Sequence, residues 1–292
     1  MRNYYYNSPA SFVELFQIIE KNNSKSCEIK FLAGGTDLVP RISLERDAIP
    51  KADQKALNIV SLGRLGLDAI MEDDKEIRIG ALCTFTDIGN SVIVQKGLPA
   101  LLDAMREIAG ITVRNSATMG GNIMNASPAA DSVPVLMVLG AKFVLQGPDG
   151  TRTISAEDFF QGPGKTAADS SEILTEIIIE KQKGRVAFRK LGRRKAETLS
   201  VVNAAAYVEA DQKICKTVRV SIGSVAPTVV RCKAVEQALM GKEITKETIK
   251  AASEAVLNEI NPINDIRATA WYRNKVAPVM VRRAIEEALG IE

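Results

Sequence analysis

Two glycine-rich segments carry the residue types in this chain that could bind an anion. They are FLAGGTDLV at 31–39 and TMGGNIMNASPAADSVP at 118–134, and the second contains no lysine, arginine or histidine. Glycine lets the backbone approach a ligand closely, and the N–H groups that open a helix point towards negative charge. The pattern favours an anion held by backbone donors, although each segment, taken alone, is more often a plain turn.

Asp131 adds a second kind of group to the later segment. Its carboxylate only accepts hydrogen bonds, and such groups commonly accept them from ribose or ribityl hydroxyls. Two donor-rich turns match the two phosphates of a diphosphate, and a nearby acid matches a sugar. We therefore predict a dinucleotide held by two loops. Neither segment matches GxGxxG, so a Rossmann domain is not supported.

The chain contains no histidine and four cysteines, and no CxxC pair occurs among the cysteines. The missing histidine excludes Ser–His and Cys–His catalysis. The cysteine spacing indicates neither a disulfide framework nor a zinc or iron–sulfur site, so we predict no metal site in this chain. If the protein is an enzyme, a bound organic cofactor is the obvious source of its chemistry.

The composition is that of an ordinary globular protein. Of its 292 residues, 46% are hydrophobic and 25% are charged, and the net charge is +3. This small charge gives no indication of nucleic-acid binding, and no apolar run reaches the roughly 18–20 residues that span a membrane. The start, MRNYYYNSPASF, lacks the apolar stretch of a signal peptide. We expect a cytoplasmic protein.

Regular elements are predicted on both sides of the first glycine pair. EIKFL at 28–32 predicts a strand before it, and LVPRISLERD at 38–47 predicts a helix after it. Residues 98–110 predict another helix, which ends at Gly110. A GPDG turn within 141–155 predicts a hairpin after the second glycine-rich segment.

The order of elements predicts more than one domain. We expect a first domain at 1–181, with lobes of about 1–54 and 55–181, because strands are mixed with short helices there. A second domain at 182–292 has three successive strand patterns followed by three helical ones, which is typical of a separate α+β unit. Pro278 lies inside the last helical pattern, where we expect a kink or a later helix start.

Two further patterns are less informative. GPGKT at 162–166 resembles the end of a P-loop, but Phe159 stands at its first glycine position and no strand–loop–helix surrounds it, so we do not expect a nucleoside triphosphatase. FRKLGRRKAE at 188–197 is basic. It could guide an anionic cofactor or a nicotinamide dinucleotide, or it could be a solvated strand end.

The motifs, taken in order, resemble one known family. AGGTDLVP (33–40), IRIGALCTFTDI (77–88), VRNSATMGGNIMNASPAADSVP (113–134) and IRATAWYRNKVAPVMVRRA (266–284) resemble the FAD-binding subunit of the molybdenum hydroxylases, which include xanthine dehydrogenase and carbon monoxide dehydrogenase. The resemblance covers nearly the whole chain, and the pairing of AGGTD with TMGGN and SPAAD is its most specific part. The GPGK element and the chain length most resemble the medium subunit of bacterial three-subunit xanthine dehydrogenases.

The resemblance implies an α+β fold. A two-lobed FAD-binding domain of the vanillyl-alcohol-oxidase (PCMH) type would be followed by an α+β C-terminal domain of the CO dehydrogenase flavoprotein type. Two loops would bind the pyrophosphate, Asp131 the sugar or ribityl portion, and three later residues the flavin region. The FAD-binding residues implied in this way are Leu32, Ala33, Gly34, Gly35, Thr36, Asp37, Leu38, Ala117, Thr118, Met119, Gly120, Gly121, Asn122, Asp131, Ile173, Leu174 and Arg189.

Two positions differ from the family pattern, and one loop extends it. Arg189 stands where relatives often have a lysine near the flavin, so the resemblance implies a cation there. Ile108 stands where some relatives have an aromatic residue that packs on adenine, so this stacking contact is lost. The loop Lys190–Ser200 would flank the flavin face where NAD approaches.

The function that the resemblance implies is electron transfer within a heteromeric oxidoreductase. A large partner subunit would oxidise the substrate, xanthine or hypoxanthine, at molybdopterin, and a small partner subunit would carry electrons through iron–sulfur clusters. Non-covalent FAD in this chain would pass them as hydride to NAD, with flavin N5 carrying the chemistry and no catalytic side chain. Two alternatives remain: a free-standing FAD oxidoreductase of the same fold, and a non-enzymatic nucleotide-binding or assembly module.

Overall fold

The computed structural model describes residues 3–24, 27–47 and 55–291 of the chain. Within these ranges the strands form three sheets, of three, five and four strands, and one two-stranded hairpin. In the same ranges, none of the helices combines the length and the apolar character that crossing a membrane requires.

The first sheet is parallel and lies at the N-terminus. Its strands alternate with helices along the chain as β1 (Tyr4–Asn7), α1 (Phe12–Ser24), β2 (Glu28–Leu32), α2 (Leu38–Asp47) and β3 (Leu57–Ser61). β3 pairs with both other strands, and Leu15 of α1 is buried in one core with Val60 of β3. The strand and helix predicted around the first glycine pair are confirmed.

The predicted boundary between the two lobes, near residue 54, lies outside the described residues. However, β3 at Leu57–Ser61 belongs to the first sheet, so that sheet extends beyond the boundary that we predicted. Phe31 of β2 lies opposite Val60 of β3. Strand partners that are far apart in sequence leave no local pattern, which explains the misplaced boundary.

The second sheet is antiparallel and follows the first in the chain. The strands in this part of the chain are β4 (Ile70–Glu72), β5 (Glu76–Gly80), β6 (Lys142–Gly147), β7 (Gly150–Ser155), β8 (Phe160–Gly162), β9 (Lys165–Thr166) and β10 (Ile173–Glu180). β8 and β9 form the small hairpin, and the other five form the sheet. The strand order is β4-β5-β10-β6-β7. The accompanying helices are α3 (Phe85–Asn90), α4 (Val92–Gly97), α5 (Pro99–Arg106), α6 (Ile111–Arg114), α7 (Met119–Met124), α8 (Ser132–Val138) and α9 (Ala156–Phe159).

Several local predictions can be compared with this second sheet. The hairpin is confirmed, because Gly147 of β6 lies opposite Gly150 of β7. GPGKT lies in the hairpin β8–β9 and not in a strand–loop–helix, as expected. The helix predicted to end at Gly110 ends earlier, at Arg106, and α6 follows as a separate turn.

The third sheet is antiparallel and belongs to the C-terminal part of the chain. Its elements are β11 (Arg185–Leu191), β12 (Val202–Asp211), β13 (Ile214–Gly223), β14 (Val230–Arg231), α10 (Lys233–Leu239), α11 (Lys246–Glu254), a 3₁₀ turn (Ala255–Asn258) and α12 (Ala270–Leu289). The predicted order of strands and then helices is confirmed. The later helix start expected at Pro278 is wrong, because α12 begins at Ala270 and includes Pro278, and the Thr269 hydroxyl caps its first turn by accepting from Tyr272 N–H.

Alternate residues of β11 and β12 face two different cores. Phe188 and Ala205 pack in the core of the second sheet, whereas Ala187 and Ala204 pack in the C-terminal core with α12. Successive side chains of a strand point to opposite faces. Neighbouring residues at the end of β11 therefore lie on opposite sides of the sheet, which decides which of them can reach a site in the first domain.

Candidate functional site

The first glycine-rich segment lies between β2 and α2 and leaves backbone donors uncommitted. Gly35 has a φ of +73°, a left-handed conformation that favours glycine. Val39 N–H donates to Gly35 C=O at 2.9 Å and closes the first turn of α2. Within the described residues, the N–H groups of Gly34, Gly35, Thr36 and Asp37 donate to no protein acceptor. These consecutive donors at a helix start suit an anion.

The second glycine-rich segment is helical where we predicted a loop. Thr118 is the N-cap of α7, and its hydroxyl accepts from Gly121 N–H at 3.0 Å. Gly120 N–H donates to Ala81 C=O at 2.8 Å, and a Cβ on Gly120 would lie 2.6 Å from that oxygen. Two adjacent glycines disfavour a helix. Here the capping threonine and the close contact with the segment after β5 override that preference.

The structure brings the two segments into direct contact. A Cβ built on Gly34 would lie 1.7 Å from the carbonyl oxygen of Ser116, immediately before the second segment, and a Cβ on Gly121 would lie 3.9 Å from Ala33 Cβ. Only glycine permits the first of these approaches. The donors of both segments therefore converge on one region, as a ligand with two linked phosphates requires. We call the segments 32–38 and 117–122 the phosphate loops.

Arg41 is a residue of this region that the sequence analysis missed. It lies on α2, pairs with Asp37 at 2.9 Å, and its Nη2 donates to Asn125 Oδ1 at 3.3 Å. Arg41 therefore links α2 to the end of α7. The spacing of Asp37 and Arg41, four residues apart on one helix face, was a local signal for the pair, but the contact with Asn125 is not local.

The structure does not present Asp131 to the phosphate loops as a free acceptor. The Asp131 residue is only 6% exposed. Its carboxylate accepts from Lys190 Nζ at 2.8 Å, from Ser200 Oγ at 2.5 Å and from Asn203 Nδ2 at 2.7 Å. Lys190 also donates to the Glu107 carbonyl at 2.7 Å. These three donors leave the carboxylate one further acceptor position, so the binding of a sugar by Asp131 stays a prediction.

Arg189 and Lys190 lie on opposite faces of β11. Arg189 pairs with Glu287 of α12 at 2.7 Å and is turned away from the first domain. Lys190 is the cation on the side of Asp131. Its sequence neighbour Arg189 was favoured instead, because the face of β11 that each residue occupies cannot be read from the sequence. Ile173 and Leu174, the two predicted flavin contacts on β10, are buried in the cores of the first and second sheets respectively.

A cavity of about 630 Å³ lies where the first domain meets the C-terminal sheet. One wall is formed by 127–129, shortly after α7. Other lining residues lie at 197–199, at 224, 226 and 227, and at 263 and 265–267. The walls are mostly apolar, and the exposed Arg193 stands among the lining residues. A concave apolar space with a few polar groups is the usual form of a small-molecule site.

A buried arginine fixes one wall of this cavity. Arg273 of α12 is 1% exposed and donates to the carbonyls of Val201 at 3.2 Å and Ile263 at 2.7 Å and to Asp265 at 2.8 Å. Burial raises the pKa of Asp265, but hydrogen bonds from Arg267 and Arg273 outweigh burial and hold this pKa well below its usual range. The carboxylate therefore stays charged and keeps both arginines in place.

Comparisons with protein families divide the chain into two matched parts. Residues 2–181 match the family described as "FAD binding domain in molybdopterin dehydrogenase". Residues 186–288 match the "CO dehydrogenase flavoprotein C-terminal domain". Together they account for most of the chain.

Individual proteins are similar over nearly their whole length. The medium chain of carbon monoxide dehydrogenase from Hydrogenophaga pseudoflava is 32% identical over 97% of this chain and 96% of its own. The xanthine dehydrogenase FAD-binding subunit of Escherichia coli O157:H7 is also 32% identical, over 98% and 96%. Among solved structures, carbon monoxide dehydrogenase from H. pseudoflava lacking the Mo-pyranopterin moiety matches with a TM-score of 0.89 and 32% identity over 99% and 98%.

Proposed function

This chain belongs to the FAD-binding medium subunits of the molybdenum hydroxylase family, and we propose that it passes electrons as hydride to NAD. The electrons would come from iron–sulfur clusters on a small partner subunit, after a large molybdopterin-binding subunit has oxidised the substrate. We propose xanthine or hypoxanthine as this substrate because of the GPGK element and the chain length. Overall sequence identity does not distinguish the substrates, because the carbon monoxide dehydrogenase and xanthine dehydrogenase relatives are both 32% identical to this chain.

The contact between the phosphate loops is the observation that carries the proposal. Gly34 lies against Ser116 so closely that no side chain fits, and uncommitted N–H groups follow it. These donors suit the FAD pyrophosphate without a lysine. Bound FAD would supply the two-electron chemistry at N5, so this chain contributes donors, shape and position and no catalytic side chain.

We propose 32–38 and 117–122 as the pyrophosphate site, and Ile173 and Leu174 as contacts of the flavin region. Lys190 replaces Arg189 as the cation on this side of β11. We place the acceptor NAD in the cavity between the first domain and the C-terminal sheet. The support for this placement is that residues of the predicted loop Lys190–Ser200 line the cavity, with the basic Arg193 among them.

The phosphate loops can be tested with the variant Gly121→Val. The added Cβ would lie 2.9 Å from the Thr118 hydroxyl that caps α7, so we expect a much weaker affinity for FAD. Gly121 is exposed, so the fold should be retained. Titration of the deflavinated chain with FAD, followed by the visible spectrum, measures this. Unchanged affinity would show that the second loop does not contact FAD.

Testing the proposed partner subunits and the proposed acceptor, NAD, requires the native complex. We expect the purified chain to bring with it a large and a small subunit, with molybdenum and iron present by metal analysis. We also expect the complex to reduce NAD when xanthine is supplied, as followed by the absorbance of NADH. A chain that is active alone, with no other subunit, would favour a free-standing FAD oxidoreductase instead.

A further inference from the structure

Arg41 lies one helical turn after the first phosphate loop and pairs with the acidic residue of that loop. Its Nε contacts Asp37 Oδ2 at 2.9 Å, and its Nη2 donates to Asp37 Oδ1 at 3.1 Å. The guanidinium therefore engages both oxygens of the carboxylate, which is the strongest geometry for such a pair. The two side chains are 64% and 50% exposed, so the pair by itself adds little to the stability of the fold.

Asp37 carries a negative charge where the proposed pyrophosphate site needs positive potential. Its N–H group is the last of the four backbone donors, at 34–37, that contact no protein acceptor within the described residues. An anion held by this N–H would lie close to the carboxylate, because only the Cα and Cβ of the same residue separate the two groups. Like charges repel more strongly as they approach each other. An unpaired carboxylate at this position would therefore oppose the binding of a pyrophosphate.

The same carboxylate favours the helix that follows the first phosphate loop. Asp37 directly precedes α2, which begins at Leu38. A negative charge at the N-terminus of a helix stabilises the helix. The acid therefore helps α2 to form but repels the ligand. A cation paired with it removes the repulsion and leaves the acid in place.

Arg41 is also held by the helix that contains part of the second phosphate loop. Its Nη2 donates to Asn125 Oδ1 at 3.3 Å. Asn125 is the C-cap of α7, and its N–H donates to Gly121 C=O at 3.0 Å. The guanidinium thus lies between α2 and the end of α7, and the contact with Asn125 fixes its position beside the proposed site.

We propose that Arg41 is a positioning residue for FAD, which neutralises the Asp37 carboxylate beside the pyrophosphate. The proposal rests on the proposed pyrophosphate site at 32–38 and 117–122. Arg41 acts through Asp37: while the pair is intact, the backbone donors face the pyrophosphate without a competing negative charge. Exposed charges interact weakly in water, so we expect a change of about tenfold in Kd at most and not a complete loss of binding.

Titration of the deflavinated chain with FAD measures this effect. We expect Arg41→Gln to bind FAD about fivefold to tenfold more weakly than the parent chain at low salt, because Asp37 is left unpaired. The difference should shrink to about twofold or less near 1 M salt, where the Debye length is about 3 Å. Arg41→Lys keeps the charge and loses only the two-point geometry, so its Kd should stay within about threefold of the parent value.

The decisive variant removes both charges of the pair. In the double variant Asp37→Asn/Arg41→Gln the repulsion is absent, and we expect its Kd for FAD to return to within about twofold of the parent value. A purely structural role of the pair predicts the opposite result. The double variant also lacks the pair, and it would then bind FAD as weakly as Arg41→Gln does.

Lys216→Gln is the matched control for the loss of one positive charge. Lys216 of β13 pairs with Asp211 at 2.7 Å, and both side chains are 56% exposed. This pair belongs to the C-terminal sheet, so the variant should bind FAD like the parent chain. A loss equal to that of Arg41→Gln would overturn the proposal, because the overall charge and not the local pair would then determine the affinity.

The remaining outcomes separate this proposal from the proposed function. Weaker FAD binding in Gly121→Val with unchanged binding in Arg41→Gln would overturn the role of Arg41 alone. Unchanged binding in both variants would overturn the proposed pyrophosphate site as well. A loss in Arg41→Gln that the double variant does not restore would also overturn the neutralising role.

Discussion

Replacing Gly34 by alanine is expected to abolish useful FAD binding. The new Cβ would lie 1.7 Å from the Ser116 carbonyl oxygen and 2.6 Å from its carbonyl carbon. Both atoms belong to the backbone, so no side-chain rotation relieves the clash. The first phosphate loop must move away from the second, and their donors no longer converge. Losing two charge-assisted hydrogen bonds corresponds to about 3 kcal/mol, or about a hundredfold in Kd.

The measurement is a titration of the deflavinated chain with FAD, followed by flavin absorbance and quenching of flavin fluorescence. Gly89→Ala is the matched control, because nothing lies within 4 Å of a Cβ at that helical position. It should bind FAD like the parent chain. If Gly34→Ala also binds FAD normally, the two loops do not form one site, and the proposal of a shared pyrophosphate site fails.

Replacing Asp265 by alanine is expected to cause a large loss of stability. Arg273 is 1% exposed and would keep only the two carbonyls of Val201 and Ile263 as acceptors. Removing one partner of a buried pair leaves the other charge uncompensated, so we expect the free energy of unfolding to fall by about 3 kcal/mol. Urea unfolding followed by circular dichroism measures this difference.

A surface pair supplies the comparison for Asp265. Asp103 pairs with Arg106 at 3.3 Å, and their side chains are 60% and 75% exposed. Because water screens such pairs, Asp103→Ala should lower stability by at most about 1 kcal/mol. Equal losses in the two variants would show that Arg273 does not depend on Asp265.

The lowered pKa of Asp265 predicts that the stability of the protein depends on pH. Burial raises the pKa of Asp265, but Arg267 and Arg273 lower it further, so the folded pKa lies below the unfolded value. The stabilisation is therefore complete above the ordinary aspartate pKa of about 3.9 and is lost as the pH falls towards the folded pKa. Acid unfolding curves of the parent chain should be steeper below about pH 4 than those of Asp265→Ala.

The elements that could be predicted from the sequence are those with a local cause. β2, α2 and the β6–β7 hairpin follow from apolar spacing and turn residues within one short window. The glycine pair at 120–121 was misjudged, because a helix there depends on Thr118 as cap and on the close contact of Gly120 with Ala81. That contact joins parts of the chain that no local window includes.

The same distinction between local and long-range causes applies to the candidate site. Glycines such as Gly34 and Gly121 could be singled out by type and neighbourhood, and their part in binding FAD stays a prediction. The partners of Asp131 could not be singled out, because Lys190, Ser200 and Asn203 are separated from it by 59, 69 and 72 positions. The choice between Arg189 and Lys190 depends on which face of β11 each occupies, and only the packed sheet determines that.

The first phosphate loop follows β2 of the first sheet, and the second packs against Ala81, directly after β5 of the second sheet, so an FAD molecule bound to both would join two structural units. Ligand binding and the association of these units are then thermodynamically linked. At a free FAD concentration of about a hundred times Kd, bound cofactor would favour the associated state by about 2.7 kcal/mol. Loss of flavin would thus loosen the junction between the lobes, and the supply of flavin during synthesis would influence how many chains escape proteolysis.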